Sequence, residues 1–259
     1  MTVIAHRVEG EGSPLVLLNG IAMTMASWAP IADDLARDYQ VIRCDFRGQL
    51  MSPGAHRDIT EHAGDVVSLL DTLGLASAHI VSTSFGGVIG ALLAARYPAR
   101  TKSLISIAST SAFDRGMAVE IGRWRSACEE VLAGAPGSRL AEILEPAAYS
   151  VDYLESHHAE RRRSRAAMDV LPKTWFFDLI TLMDSTRGFD LEGELHRIRC
   201  PTLIAAAELD GFIPEEQCRA LAQSITGAEF KVIPRAGHAV VVEAPDRVLS
   251  LIRSFLRSA

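Results

Sequence analysis

Short apolar runs bounded by glycine, proline or asparagine alternate with longer amphipathic stretches along most of the chain. Leu15 to Leu18, Val41 to Cys44, Ile80 to Val81, Leu104 to Ala108, Thr202 to Ala207 and Phe230 to Ile233 are runs of this kind. Their length and their bounding residues predict buried strands, and residues 3 to 8 predict a further short strand at the start. Helices are predicted up to Arg37 after a loop from Ile21 to Ser27, over Thr60 to Leu73, Val88 to Tyr97 and Pro214 to Ser224, and from Pro245 to Leu256. In the second of these, Val66, Leu69, Leu70 and Leu73 share one face and Gly74 supplies a C-terminal stop. Such alternation implies an α/β fold, a mostly parallel sheet flanked by helices. Between Ser111 and Asp190 the pattern changes to helical composition punctuated by Gly134 to Gly137, Pro146 and Pro172, with no strand. The expected organisation is a core formed by residues 1–110 and 191–259, carrying residues 111–190 as an inserted helical lid.

Composition narrows the functional classes. With 259 residues, 48% of them hydrophobic and 22% charged, the chain is long enough to bury one large core. A net charge of −6 argues against general nucleic-acid binding, which requires a basic surface. Cys44, Cys128, Cys200 and Cys218 are widely spaced and form no CxxC pair, so neither a disulfide framework nor a zinc site is expected from them, and a reducing cytoplasm suits them. Residues 12–32 carry no formal charge, but Pro14, Asn19, Gly20 and Pro30 interrupt them. No membrane or secretory segment is expected.

The candidate chemistry begins at residues 79–90, His-Ile-Val-Ser-Thr-Ser-Phe-Gly-Gly-Val-Ile-Gly. Ser84 has small neighbours at Ser82, Gly86 and Gly87, as a sharp strand-to-helix turn with an exposed apical serine requires. Ser82 has Ile80 two residues before it, which disfavours it for the same position. Two further strands are followed by Asp210 and by His238. A serine hydroxyl becomes a useful nucleophile when a histidine takes its proton and a carboxylate orients that histidine. Glu208 and Asp114 are rival acids, with Asp210 preferred. His6, His56, His62, His79, His157, His158 and His196 are assigned to solvent or core, and no GxGxxG fingerprint is present.

With LLNG at 17–20, DFRGQLMS at 45–52, STSFGG at 82–87, CPTLIAAAELDGFIP at 200–214 and AGHAVVVEAPDRV at 236–248, the chain resembles the α/β-hydrolase superfamily over nearly its whole length. The resemblance implies acyl transfer through Ser84, with His238 as base and then acid, Asp210 orienting it, and the backbone amides of Ile21 and Phe85 as the oxyanion hole. It implies no cofactor and no metal. Asn19 and Ala22 beside that hole, with Trp175 and Phe176 from the lid, are the candidate substrate pocket. Three positions depart from the usual pattern: Ser82 for glycine, Asn19 for histidine, and Leu50 for the glycine that often follows the Arg-Gly pair.

These departures resemble the branch containing hydroxyalkanoyloxy-alkanoate synthase and hydroxyacyl transacylases. The leading expectation is a serine hydrolase acting on a carboxylic ester or thioester with an apolar acyl group. Transfer of a (hydroxy)acyl group from a carrier-protein or CoA thioester to an alcohol or thiol is the alternative, and a non-catalytic ligand-binding homologue the third reading. The basic run Arg161, Arg162, Arg163 and Arg165 is a candidate contact for CoA phosphates or an acidic acyl carrier protein, against the alternative of a solvated helix face. A monomer and a homo-oligomer both fit.

Overall fold

The protein was analysed as a computed structural model that describes residues 3–258. Seven strands form one sheet in the order β1-β3-β2-β4-β5-β6-β7. They are β1 (His6–Glu9), β2 (Ser13–Leu18), β3 (Tyr39–Cys44), β4 (Ala78–Thr83), β5 (Thr101–Ile107), β6 (Thr202–Ala207) and β7 (Glu229–Ile233). Only β1 runs antiparallel, against β3, with His6 opposite Cys44; every other pair is parallel. The first strand begins later than expected. Ile4 is buried ahead of it, whereas His6 to Val8 lie on an exposed sheet edge.

The twofold repeat of the strands feeds two cores. Val16 and Leu18 point into one, with Ile80 and Ile204, while Leu15 and Leu17 point into the other, with Val81 and Ala205. Helices α1 (Ala29–Leu35), α2 (Glu61–Thr72) and α3 (Phe85–Arg96) follow the early strands. Residues Phe85 to Ala95 of α3 are all buried, and a helix apolar on every side has no face to offer water. It starts three residues earlier than the expected Val88. Gly86 and Gly87 form its first turn, and Ser84 O accepts from Gly87 N (2.8 Å) and Val88 N (3.2 Å).

Five helices stand between β5 and β6: α4 (Arg115–Leu132), α5 (Ser138–Ala148), α6 (Val151–Ser156), α7 (His158–Asp169) and α8 (Lys173–Ser185). The ends of this insertion meet where Ala112 bridges Asp190 and Leu191 N donates to Ser111 O at 2.9 Å. Trp175, Phe176, Leu179, Leu182 and Met183 of α8 are buried in the cluster that also holds Met117, Ile121, Trp124, Cys128 and Val131 of α4. Each large side chain sequestered this way contributes about 1.5–3 kcal/mol. The chain closes with α9 (Glu215–Gln223), α10 (Val240–Glu243) and α11 (Pro245–Leu256), which buries Val248, Ile252, Phe255 and Leu256. Among the described residues, no helix is long and apolar enough to cross a membrane.

Candidate active site

The site is assembled at the carboxyl ends of β4, β6 and β7. Ser84 occupies the turn from β4 into α3 with φ 53° and ψ −122°, a conformation whose strain is of the order of 1–3 kcal/mol for a non-glycine residue. The surroundings hold it there. Ser84 N donates to Ile107 O at 2.9 Å, and Ser109 Oγ donates to Ser84 O at 2.9 Å. A Cβ on Gly86 would lie 2.5 Å from Asn19 O and 2.6 Å from Leu18 O, so only glycine lets the end of β2 approach the first turn of α3. Two residues earlier, Ser82 Oγ donates to Ile105 O at 2.8 Å, and a Cβ on Gly90 would lie 2.9 Å from Ser82 Oγ.

Ser84 Oγ lies 2.8 Å from His238 Nε2, and His238 Nδ1 lies 2.8 Å from Asp210 Oδ2. A carboxylate only accepts, so Nδ1 carries the proton and Nε2 is left to accept from the serine hydroxyl. The Asp210 side chain is buried, and its Oδ1 accepts from Phe212 N (2.8 Å) and Ile213 N (2.7 Å). Those two amides fix the carboxylate plane. The histidine loop is in turn tied to the helical insertion, with Ala239 N donating to Ala148 O at 2.7 Å and Glu243 of α10 accepting from Ser150 N and Oγ. The rival acids are engaged elsewhere. Glu208 accepts from Arg235 N, and Asp114 caps α4 through Met117 N at 2.8 Å.

The loop after β2 is braced from below. Asn19 Nδ2 donates to Cys44 O (2.9 Å), Asp45 Oδ1 (3.1 Å) and Gln49 Oε1 (2.9 Å), while its Oδ1 accepts from Trp28 Nε1 at 2.9 Å. Gln49 Nε2 donates to Gly20 O at 2.8 Å and Ile21 O at 3.3 Å, gripping the two peptides beside Ser84. A Cβ on Gly20 would sit 3.5 Å from Ser84 Cβ, which measures how near this loop passes. Burial pushes the Asp45 carboxyl up, while donors at Met25 N, Met51 N and Asn19 pull it back. Asn19 is therefore corrected from pocket residue to brace, because its whole side chain is consumed beneath the loop. Gln49 was not singled out as a brace, since a glutamine in a polar loop carries no signal of its partner.

A cavity of about 670 Å³ opens onto Ser84 and His238. Ile21, Ala22 and Met23 form one side, and Leu144, Ala148, Tyr149 and Tyr153 from α5 and α6 form another. Ala22 thus lies where expected. Trp175 and Phe176 do not line this cavity: α8 packs on α4, and Phe176 fills the space a Cβ on Gly137 would enter, 3.0 Å away. The aromatic wall comes instead from Tyr149, Tyr153 and His157, stacked at centroid distances of 4.6 Å and 4.0 Å. Burial pushes the Tyr149 hydroxyl up to about 12, so it stays a neutral phenol. Their spacing of four residues was visible, but α6 is too short for periodicity to reveal a face.

The basic run is largely spoken for. Arg161 and Arg165 converge on buried Glu145, with Arg161 Nη2 at 2.6 Å and Arg165 Nη2 at 2.5 Å from Oε2. Burial alone would push Glu145 up, but hydrogen bonds from Arg165 and Arg161 outweigh it and hold the carboxyl low. Arg163 pairs with Glu160 at 3.0 Å, and Arg162 is exposed. Two of the four guanidinium groups in the run, candidates for a phosphate contact or a solvated helix face, are thus structural partners of one carboxylate.

A mostly parallel sheet with serine, acid and histidine in that chain order at the ends of β4, β6 and β7 defines a class of protein. The chain belongs to the family described as the alpha/beta hydrolase fold, whose profile matches residues 13–245. It is 28% identical over 241 residues to a Stutzerimonas stutzeri (strain A1501) protein provisionally named carbamate hydrolase RutD, covering 90% of this chain and 87% of that one. It is 27% identical over 263 residues to the pimeloyl-[acyl-carrier protein] methyl ester esterase of Aeromonas salmonicida (strain A449), covering 99% and 100%. A malate-bound thermophilic esterase from Thermogutta terrifontis superposes with a TM-score of 0.84 at 27% identity, covering 98% and 93%. The chain is a hydrolase of the α/β type.

Proposed function

We propose that the protein is a serine hydrolase that cleaves a carboxylic ester or thioester with an apolar acyl group through an acyl-enzyme intermediate. The observation that carries the reading is the continuous relay of 2.8 Å contacts from Ser84 through His238 to Asp210 at the floor of the cavity. In this reading His238 Nε2 takes the Ser84 proton as Oγ attacks the carbonyl carbon, then delivers it to the leaving oxygen or sulfur. Asp210 stabilises the imidazolium, and the amides of Ile21 and Phe85 stabilise the tetrahedral oxyanion. A water deprotonated by His238 then releases the acid and restores Ser84. Residues 111–190 act as the lid over a core of residues 1–110 and 191–259, with α5 to α7 supplying the acyl-facing wall.

The apolar side chains of Ile21, Ala22, Met23, Leu144 and Val241 around the serine support an apolar acyl part. The esterase relative from Aeromonas salmonicida supports an ester carbonyl and makes an acyl-carrier substrate worth testing, whereas the relative provisionally named a carbamate hydrolase supports a nitrogen-bearing carbonyl. Incubation with a short-chain activated ester is expected to give an initial burst and a mass adduct on Ser84. Ser84→Ala is expected to lose turnover on the order of a million-fold, as removal of a serine nucleophile does in related relays. Unchanged turnover in Ser84→Ala with no adduct on the parent protein overturns the proposal. Presenting a matched ester, thioester and carbamate then reads which carbonyl is preferred.

A further inference from the structure

Beside Phe85, three groups that the Ser84 relay does not use converge on one point. His62 and Asp65 stand three residues apart on α2, and His56 comes from the preceding loop. One ring nitrogen or carboxylate oxygen from each lies within 4.8 Å of the others. His56 Nε2 is 2.8 Å from Asp65 Oδ2, and Arg47 Nε donates to that same oxygen at 3.0 Å. On the solvent side, Glu61 Oε2 lies 3.3 Å from His56 Nδ1.

His62 is the anomaly. It has no exposed surface, and neither ring nitrogen has a hydrogen-bond partner. The rings of Phe46 and Phe85 meet it edge-on, with centroids at 5.3 Å and 5.5 Å. An aromatic face can receive an N–H, but it offers nothing to the lone pair of the other nitrogen. A neutral imidazole carries that lone pair on one of its two ring nitrogens. A buried acceptor left unmatched is destabilising, because folding strips it of water and returns no donor. One of the His62 ring nitrogens lies within 4.8 Å of a ligand atom of both His56 and Asp65.

We propose that His56, His62 and Asp65 bind a divalent transition-metal ion, which fastens the loop carrying His56 to α2 beside Phe85. Two imidazoles and one carboxylate suit zinc or its neighbours better than magnesium or calcium, which take oxygen ligands. The ion replaces the hydrogen bond between His56 Nε2 and Asp65, and the single ring proton moves from Nε2 to Nδ1 by exchange with solvent, leaving the Nε2 lone pair for the metal. Glu61 then accepts from His56 Nδ1–H, the outer carboxylate that orients many metal-bound histidines. Arg47 holds the Asp65 plane and leaves the net charge around the ion modest. The ion serves as a staple and takes no part in the chemistry at Ser84, so the proposal stands apart from the hydrolase reading.

The test uses full-length, tag-free protein stripped with a chelator and dialysed against zinc sulfate at low micromolar concentration. Zinc retained after gel filtration is expected to be one per chain, with a raised Tm, and cobalt(II) in its place is expected to give the visible absorption of a low-coordinate site. His56→Ala, a change in a partly exposed loop residue, is expected to weaken binding by roughly a hundredfold or more, and Glu61→Gln by about tenfold. His62→Phe fills the same space without a ligand and is expected to abolish binding. Failure of the parent protein to retain zinc, or equal retention by His56→Ala, overturns the proposal.

Discussion

Replacing Asn19 by alanine separates a brace from a pocket wall. Asn19 Nδ2 and Oδ1 engage Cys44 O, Asp45 Oδ1, Gln49 Oε1 and Trp28 Nε1. After truncation, Asp45 Oδ1 keeps Met25 N at 2.6 Å and Gln49 Oε1 keeps Phe46 N at 3.0 Å. Trp28 Nε1, on a fully buried indole, keeps no acceptor, and Cys44 O loses a donor. At about 1–1.5 kcal/mol for each of the two groups, the expected destabilisation is about 2–3 kcal/mol. For a chain of this size that corresponds to a fall in Tm of roughly 4–12 °C. Thermal unfolding followed by circular dichroism, together with urea titration at constant m, measures it. A pocket residue trimmed to alanine would leave Tm nearly unchanged and alter only KM, so a fall below about 2 °C refutes the bracing role.

Two further outcomes follow from the same geometry. Gly86→Ala is expected to destabilise by about 2 kcal/mol or more, read as a lowered urea midpoint, because its Cβ would meet two backbone carbonyls at 2.5 Å and 2.6 Å that cannot rotate away; an unchanged midpoint refutes the close approach of β2 to α3. His62 binds its proton near pH 6.5 when unfolded and near 3 when folded, so between those values only the unfolded chain carries the proton and stability falls as pH falls through that window. In chelator-treated protein this contributes a loss of about 1.5 kcal/mol between pH 6.5 and pH 5, the slope rising from half of about 1.4 kcal/mol per pH unit at the unfolded pKa to its full value below it; His62→Phe is expected to flatten the profile by that amount, and parallel profiles refute it.

Strand and helix order was legible because each buried strand is a short apolar run between turn residues, and β6 and α11 fall on the expected residues, Thr202–Ala207 and Pro245–Leu256. The convergence of Ser84, Asp210 and His238 was legible through strand ends and chain order. Side-chain direction was not. Trp175 and Phe176 have the composition of a pocket roof, yet whether a helix shows its apolar face to a cavity or to a neighbour depends on packing between helices, which one segment does not encode. Asn19 posed the mirror problem, since a polar residue beside a turn reads as accessible until Trp28 and Gln49 are seen closing over it. The pairing of Arg161 and Arg165 with Glu145 spans 16 and 20 residues, beyond any local spacing rule.

Ser82 and Gly90 show how such packing constrains descent. The Ser82 hydroxyl is held on Ile105 O and occupies the space a Cβ on Gly90 would enter. A glycine at 82 would remove the hydroxyl and leave alanine at 90 only Leu104 Cδ1, 3.1 Å away at the end of a flexible side chain, to displace, so the two positions change more easily in one order than in the other. A lineage that acquired the serine first has narrowed the alanine route behind it, and a homologue bearing alanine at 90 is expected to carry glycine at 82.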